Sequence, residues 1–93
     1  MDYGKEAIKR HRASRGKLSI ASKMKLETLD DLSIAYTPGV ASVSLAISAD
    51  KSESFQLTNR GNTVAVVTDG SAVLGLGNVG PEAAMPVMEG KSI

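Results

Sequence analysis

The chain has 93 residues, enough for one small domain that buries roughly 60–65% of its unfolded surface. With one Phe, two Tyr and no Trp, a core must be built from Val, Leu, Ile, Ala and Met, and the lack of cysteine excludes disulfides and thiolate metal sites. The formal charge of +1 hides an asymmetry: residues 1–25 hold eight of the eleven Lys and Arg against two acids, and the remainder holds three against eight acids.

A basic arm of this kind can bind nucleic acid. Here it has no interleaved aromatics beyond Tyr3 and matches no nucleic-acid motif, so a solvated helix face is the better reading. No apolar run approaches the ~18 residues of a bilayer span, and no secretory core follows Met1. The Arg-rich start mimics a mitochondrial presequence, but Asp2 and Glu6 argue against one. The expectation is a cytoplasmic chain without membrane or nucleic-acid partners.

Residues 2–14 read as a weakly amphipathic helix with Tyr3, Ala7, Ile8 and His11 on one side, stopped at Arg15-Gly16. His11 is the only histidine and reads as a surface residue. Leu18 and Ile20 alternate with polar neighbours and suggest a short edge strand. Thr28 is a natural N-cap, with Asp31 at the third helical position as in a capping box. The helix it starts carries Leu29, Leu32, Ala35 and Tyr36 on one stripe, and Thr37-Pro38-Gly39 ends it, because the residue before proline is pushed from the α region. Pro38 is expected to open the next helix with Thr37 as its cap. That helix would bury Val40, Val43 and Ile47, with Ala41 and Leu45 beside them. Tyr36 thus stands at a corner between helices, where a tyrosine ordinarily packs its ring in the core. Residues 50–62 are a polar connection anchored by Phe55 and Leu57 and closed by the turn chemistry of Asn59-Arg60-Gly61-Asn62.

The run Thr63–Thr68 is β-branched and apolar on both faces, the pattern of a buried strand. Asp69-Gly70 suits a two-residue hairpin turn, with Ser71–Leu74 returning as the second strand. The expected fold is therefore α/β: N-terminal helices, a short sheet with a hairpin near 63–74, and a C-terminal helix from about Pro81 toward Lys91. Between hairpin and helix, Gly75-x-Gly77-x-x-Gly80 has the letters of a dinucleotide fingerprint but the wrong context. It follows a hairpin, and only thirteen residues remain, too few for a second parallel strand and its ribose-binding acid. A helix start with free N–H groups able to face a substrate carboxylate remains, and Gly75, Gly77, Asn78 and Gly80 are its candidate residues. Asp30-Asp31 are adjacent and read as first-turn helix charges, and no Asp/Glu cluster has metal-ligand spacing.

Three motifs in order, Tyr36-Thr37-Pro38-Gly39-Val40, TVAVVTDGSAVLGLGNVGP and the closing PVMEGK, resemble the N-terminal domain of malic enzymes, most closely the bacterial and archaeal type. The resemblance covers nearly the whole chain and implies that residues 1–93 are a substrate-side domain, with the nicotinamide domain downstream. It implies oxidative decarboxylation of malate to pyruvate, with Tyr36 matching the general acid of the YTPG-type motif and Lys91 the general base. NAD or NADP and a divalent cation, Mg2+ or Mn2+, are implied for the longer enzyme, with their ligands beyond Ile93, together with a homodimer. Ala72 stands where many larger members place a substrate-gripping arginine, as suits the shorter prokaryotic type. The chain then reads as a domain-sized piece of a longer enzyme, inactive alone and holding neither metal nor coenzyme. The alternative is a freestanding binding or oligomerisation module that keeps the fold without the chemistry.

Overall fold

The computed structural model describes residues 1–93, which form five helices and no strand. The chain divides into two compact units, Met1–Ile20 with Ala65–Ile93, and Ala21–Val64.

The first unit contains α1 (Tyr3–Ser14) and α5 (Gly80–Ser92). Asp2 caps α1, its carboxylate accepting from the Lys5 N–H at 3.1 Å. Arg15 ends the helix in the left-handed region at φ 58° and Gly16 follows at φ 96°. The proposed apolar side of α1 is not a core face: Tyr3 and Ile8 are exposed, and only His11 is half-buried. Leu18 and Ile20 are also exposed and form no strand. α5 starts one residue before the expected position, with Pro81 in its first turn and Glu82 complementing the N-terminal dipole. Its Ala84 is the one fully buried apolar residue of the chain.

The second unit holds α2 (Leu29–Ala35), α3 (Val40–Ala49) and a single turn, α4 (Ser54–Leu57), flanked by 3-10 turns at Lys51–Glu53 and Asn59–Asn62. The capping box is present as read: Thr28 Oγ1 accepts from Asp31 N at 3.1 Å, and Asp31 Oδ2 accepts from Thr28 N at 3.0 Å and from Glu27 N at 2.9 Å. The Glu27 N–H first, and then the Thr28 donors, hold the Asp31 carboxyl below its usual value. A depressed folded pKa contributes stability above the unfolded value of about 3.9, and this is lost as pH falls through the lower folded value. The Glu27 and Thr28 amide shifts should therefore titrate together with a midpoint below ~3.9, and Asp31→Asn should remove the transition. A midpoint at or above the ordinary carboxylate value would contradict the cap.

The corner after α2 departs from expectation. α3 begins at Val40 rather than Pro38, with Gly39 at its N-cap. Tyr36 N–H donates to Leu32 O at 2.8 Å, Gly39 N–H to Ser33 O at 2.8 Å and Val40 N–H to Tyr36 O at 2.6 Å, so Thr37–Gly39 form a closed turn before the helix resumes. A Cβ on Gly39 would lie 2.7 Å from the Ser33 and Ile34 carbonyl oxygens, which only glycine tolerates. Residues 29–49 taken together are long and apolar enough to cross a membrane by length and composition, more than the sequence reading allowed. The turn nevertheless divides them into helices of seven and ten residues, neither long enough to span.

The expected α/β fold is overturned. No sheet forms, and the β-type pairing is one isolated antiparallel bridge between Val73 and Gly77. A strand needs a hydrogen-bonded neighbour, and the chain supplies none to Thr63–Thr68, whose Val64 and Val67 are 89% and 85% exposed. Asp69-Gly70 does not fold 71–74 back as a hairpin. The Asp69 carboxylate accepts from Ser71 N at 2.9 Å, and Gly70 O accepts from Val79 N and Gly80 N, which routes the chain into α5. The apolar stripes of α2 and α3 are equally uncovered: Leu29, Leu32, Ile34 and Leu45 are exposed, while Val43 and Ile47 are half-buried. Each such side chain, if buried, would stabilise by about 1.5–3 kcal/mol, most of which these exposed residues do not contribute here.

Candidate catalytic residues and the loop before α5

Tyr36 is the C-cap residue of α2, at φ −131° and ψ −103°. Its backbone is tied on both sides by the turn just described, so the position of its Cβ is defined by the corner. The residue is 65% exposed, so it is not the core tyrosine that an apolar stripe would suggest. Residues 55–59 with Gly61 and Asn62 face residues 21–24 across a cleft of about 760 Å3, which Tyr36 does not line.

Lys91 is an exposed residue in the last turn of α5, where a cation complements the helix dipole. It belongs to the first unit and Tyr36 to the second. The first unit has its own cleft, about 360 Å3, between Val66–Thr68 and the Pro81, Glu82, Met85 and Met88 face of α5. Lys91 does not line it.

The candidate glycine loop is a conformational device. Gly75, Gly77 and Gly80 have φ of 80°, 77° and 82°, the left-handed region that disfavours a side chain. Val73 O accepts from Leu76 N and Gly77 N, at 2.9 and 2.8 Å, which places Gly75 at the third position of a tight turn. A Cβ on Gly75 or Gly77 would meet nothing within 4 Å, so backbone angle rather than close approach calls for glycine there. Nor are all the N–H groups before α5 free: those of Val79 and Gly80 donate to Gly70 O at 3.0 and 3.1 Å. Pro81 has none, which leaves only that of Glu82 among the four at the helix start.

Gly70 closes this loop and is buried. Its φ is 72°, and an added Cβ would collide with the Gly80 carbonyl and come within 2.9 Å of Pro81 N. Gly70→Ala combines left-handed strain of about 1–2 kcal/mol with overpacking of about 1–3 kcal/mol. In the full-length protein it should lower stability by ~2–5 kcal/mol. Gly75→Ala, with strain alone, should cost ~1–2 kcal/mol. Urea unfolding of both variants checks the order, and equal midpoints would contradict the closure.

One side chain escaped the sequence reading. Lys17, counted there only among the basic residues, donates its N–H to Glu89 Oε1 at 2.9 Å and its ammonium to Pro86 O at 2.9 Å. No local pattern announces these contacts, because the partners lie about seventy residues away. No group of three or more His, Asp or Glu side chains converges to hold a metal ion.

A family model described as malic enzyme, N-terminal domain, matches residues 15–93. The chain belongs to the malic enzyme family. It is 52% identical over 93 residues to the bifunctional malic/malolactic enzyme of Bacillus subtilis, covering 100% of this chain and 23% of that protein. It is 59% identical over 78 residues to the NAD-dependent malic enzyme of Geobacillus stearothermophilus, covering 84% of this chain and 16% of that protein. The crystal structure of the NAD-dependent malic enzyme of Thermotoga maritima superposes with a TM-score of 0.81 at 52% identity, over 91% of this chain and 24% of that one. This malic enzyme segment thus spans a quarter or less of each of these relatives. Other matched bacterial malic enzymes are named NADP-dependent.

Proposed function

We propose that these residues supply the substrate-side acid and base of an NAD- or NADP-dependent malic enzyme that converts malate to pyruvate and CO2. The observation that carries the reading is the family match over residues 15–93, which includes both Tyr36 and Lys91 in their motifs. The Lys91 amine accepts the proton of the malate C2 hydroxyl as C2 is oxidised. The Tyr36 phenol delivers a proton to C3 of the enol left after CO2 departs. Positions of this kind suit the two side chains: each is exposed and held on a backbone fixed by local hydrogen bonds or helix.

The nicotinamide coenzyme supplies hydride acceptance, and a divalent cation supplies charge stabilisation at the enolate oxygen. We assign both groups to the longer protein. The glycine loop is turned back on Gly70, and no ligand cluster converges. On this reading the segment by itself is inactive and works within the longer protein. The test is malate-dependent pyruvate formation by the full-length protein with NAD or NADP and Mg2+ or Mn2+. Pyruvate and reduced coenzyme should appear in equal amounts, and no turnover with either coenzyme would overturn the proposal.

A further inference from the structure

We propose that Lys17 is a positioning residue that holds the last turn of α5, and with it the Lys91 amine, in the geometry used for proton abstraction. This rests on the reading of Lys91 as the base. The attachment is made at both ends of Lys17. Its backbone N–H meets Glu89 Oε1 at 2.9 Å, and its Nζ meets Pro86 O at 2.9 Å and His11 Nε2 at 2.7 Å. His11 Nδ1 lies 2.8 Å from Ala7 O, so the ring donates through Nδ1 and presents the Nε2 lone pair to the ammonium. The Lys17 head is thereby braced against α1 while it grips α5.

Gly16 permits the close approach of Glu89, and Gly90 lies in ordinary contact distance of the Lys17 stem. A Cβ on Gly16 would lie 2.8 Å from Glu89 Oε1, and one on Gly90 would lie 3.6 Å from Lys17 Cε. The stem of Lys17 therefore runs beside the residue that precedes Lys91. Gly90 also weakens the turn that carries the base, by about 1 kcal/mol relative to alanine. The Lys17 ammonium adds a hydrogen bond to the Pro86 carbonyl, one turn before Gly90. A lysine that must present its amine to a substrate carries about 2 kcal/mol of rotamer entropy, so an unanchored backbone beneath it disperses the amine further. An ordinary surface lysine has no reason to make backbone and side-chain contacts to the same turn of a distant helix.

The experiment uses the full-length protein. Lys17→Met keeps the stem and removes the ammonium. It should lower kcat by about 10–100-fold, as misplacement of a reacting group does. The malate KM should stay within about twofold. Lys17→Arg, which can still donate to Pro86 O, should recover most of the loss. In a Lys91→Ala background, Lys17→Met should cause no further fall in residual or amine-rescued turnover, because no tethered base remains to be positioned. An unchanged kcat in Lys17→Met, or the same fractional loss in both backgrounds, overturns the proposal. Failure of the underlying reading is visible separately, as full activity in Lys91→Ala alone. Should Lys17→Met not fold, Glu89→Ala releases the other end of the contact. It must then show the same kcat loss at unchanged KM, and wild-type kcat in folded Glu89→Ala overturns the proposal as well.

Discussion

Replacing Lys91 with alanine in the full-length protein should lower malate turnover by about 10²–10⁴-fold. Such a loss corresponds to roughly 3–5 kcal/mol of transition-state stabilisation. Folding should barely respond, because Lys91 is exposed and surface substitutions usually fall within about 0.5 kcal/mol. The contrast between the two readouts is the point of the experiment. A lysine that only complements the dipole of α5 would cost a few tenths of a kcal/mol in stability and nothing in turnover. A small exogenous amine should recover part of the activity by occupying the vacated space, with a rate that rises with amine concentration. Wild-type turnover in Lys91→Ala would remove the base assignment.

Tyr36→Phe should lower pyruvate formation by a similar ~10²–10⁴-fold, but at a different step. The phenyl ring preserves the shape at the corner between α2 and α3 and loses only the proton donor. With Tyr36 65% exposed, the melting temperature should move by no more than a degree or two. Loss of CO2 precedes protonation of the enol, so Tyr36→Phe should release a burst of CO2 before slow pyruvate formation, whereas Lys91→Ala should release none. If Tyr36→Phe melted several degrees lower yet turned over normally, the hydroxyl would be a structural hydrogen bond and not the acid.

Local features of the molecule were legible in the sequence and paired features were not. The cap at Thr28, the stop at Arg15-Gly16 and the helix start around Pro81 depend on residues within three or four positions of the backbone they satisfy. The corner at Tyr36 was also readable, although α3 began two residues late. Gly39 spends its N–H on Ser33 O, so the Thr37–Gly39 turn closes before the helix can resume. The run Thr63–Thr68 has every residue a buried strand wants, yet composition cannot provide the neighbouring strand that would make it one. For the candidate site, the roles proposed for Tyr36 and Lys91 rest on resemblance of whole motifs, since a tyrosine ending a stripe and an exposed lysine are unremarkable by themselves. Lys17 was invisible for the same reason as the missing sheet: its partners, Glu89 and Pro86, are remote in sequence.

The closure at Gly70 also bears on the order in which α5 is assembled. Gly70 O and the Gly80 N–H are ten residues apart, a loop that closes in roughly 10–100 ns. The contact from Lys17 to Glu89 spans 72 residues. By loop-closure entropy the longer contact costs about 1.7 kcal/mol more to form than the shorter one. The front of α5 is therefore seeded early by its own neighbours, and its rear is latched late by a distant side chain. Damage at Gly70 should slow folding, while damage at Lys17 should hasten unfolding, so the two ends of one helix answer to different rates.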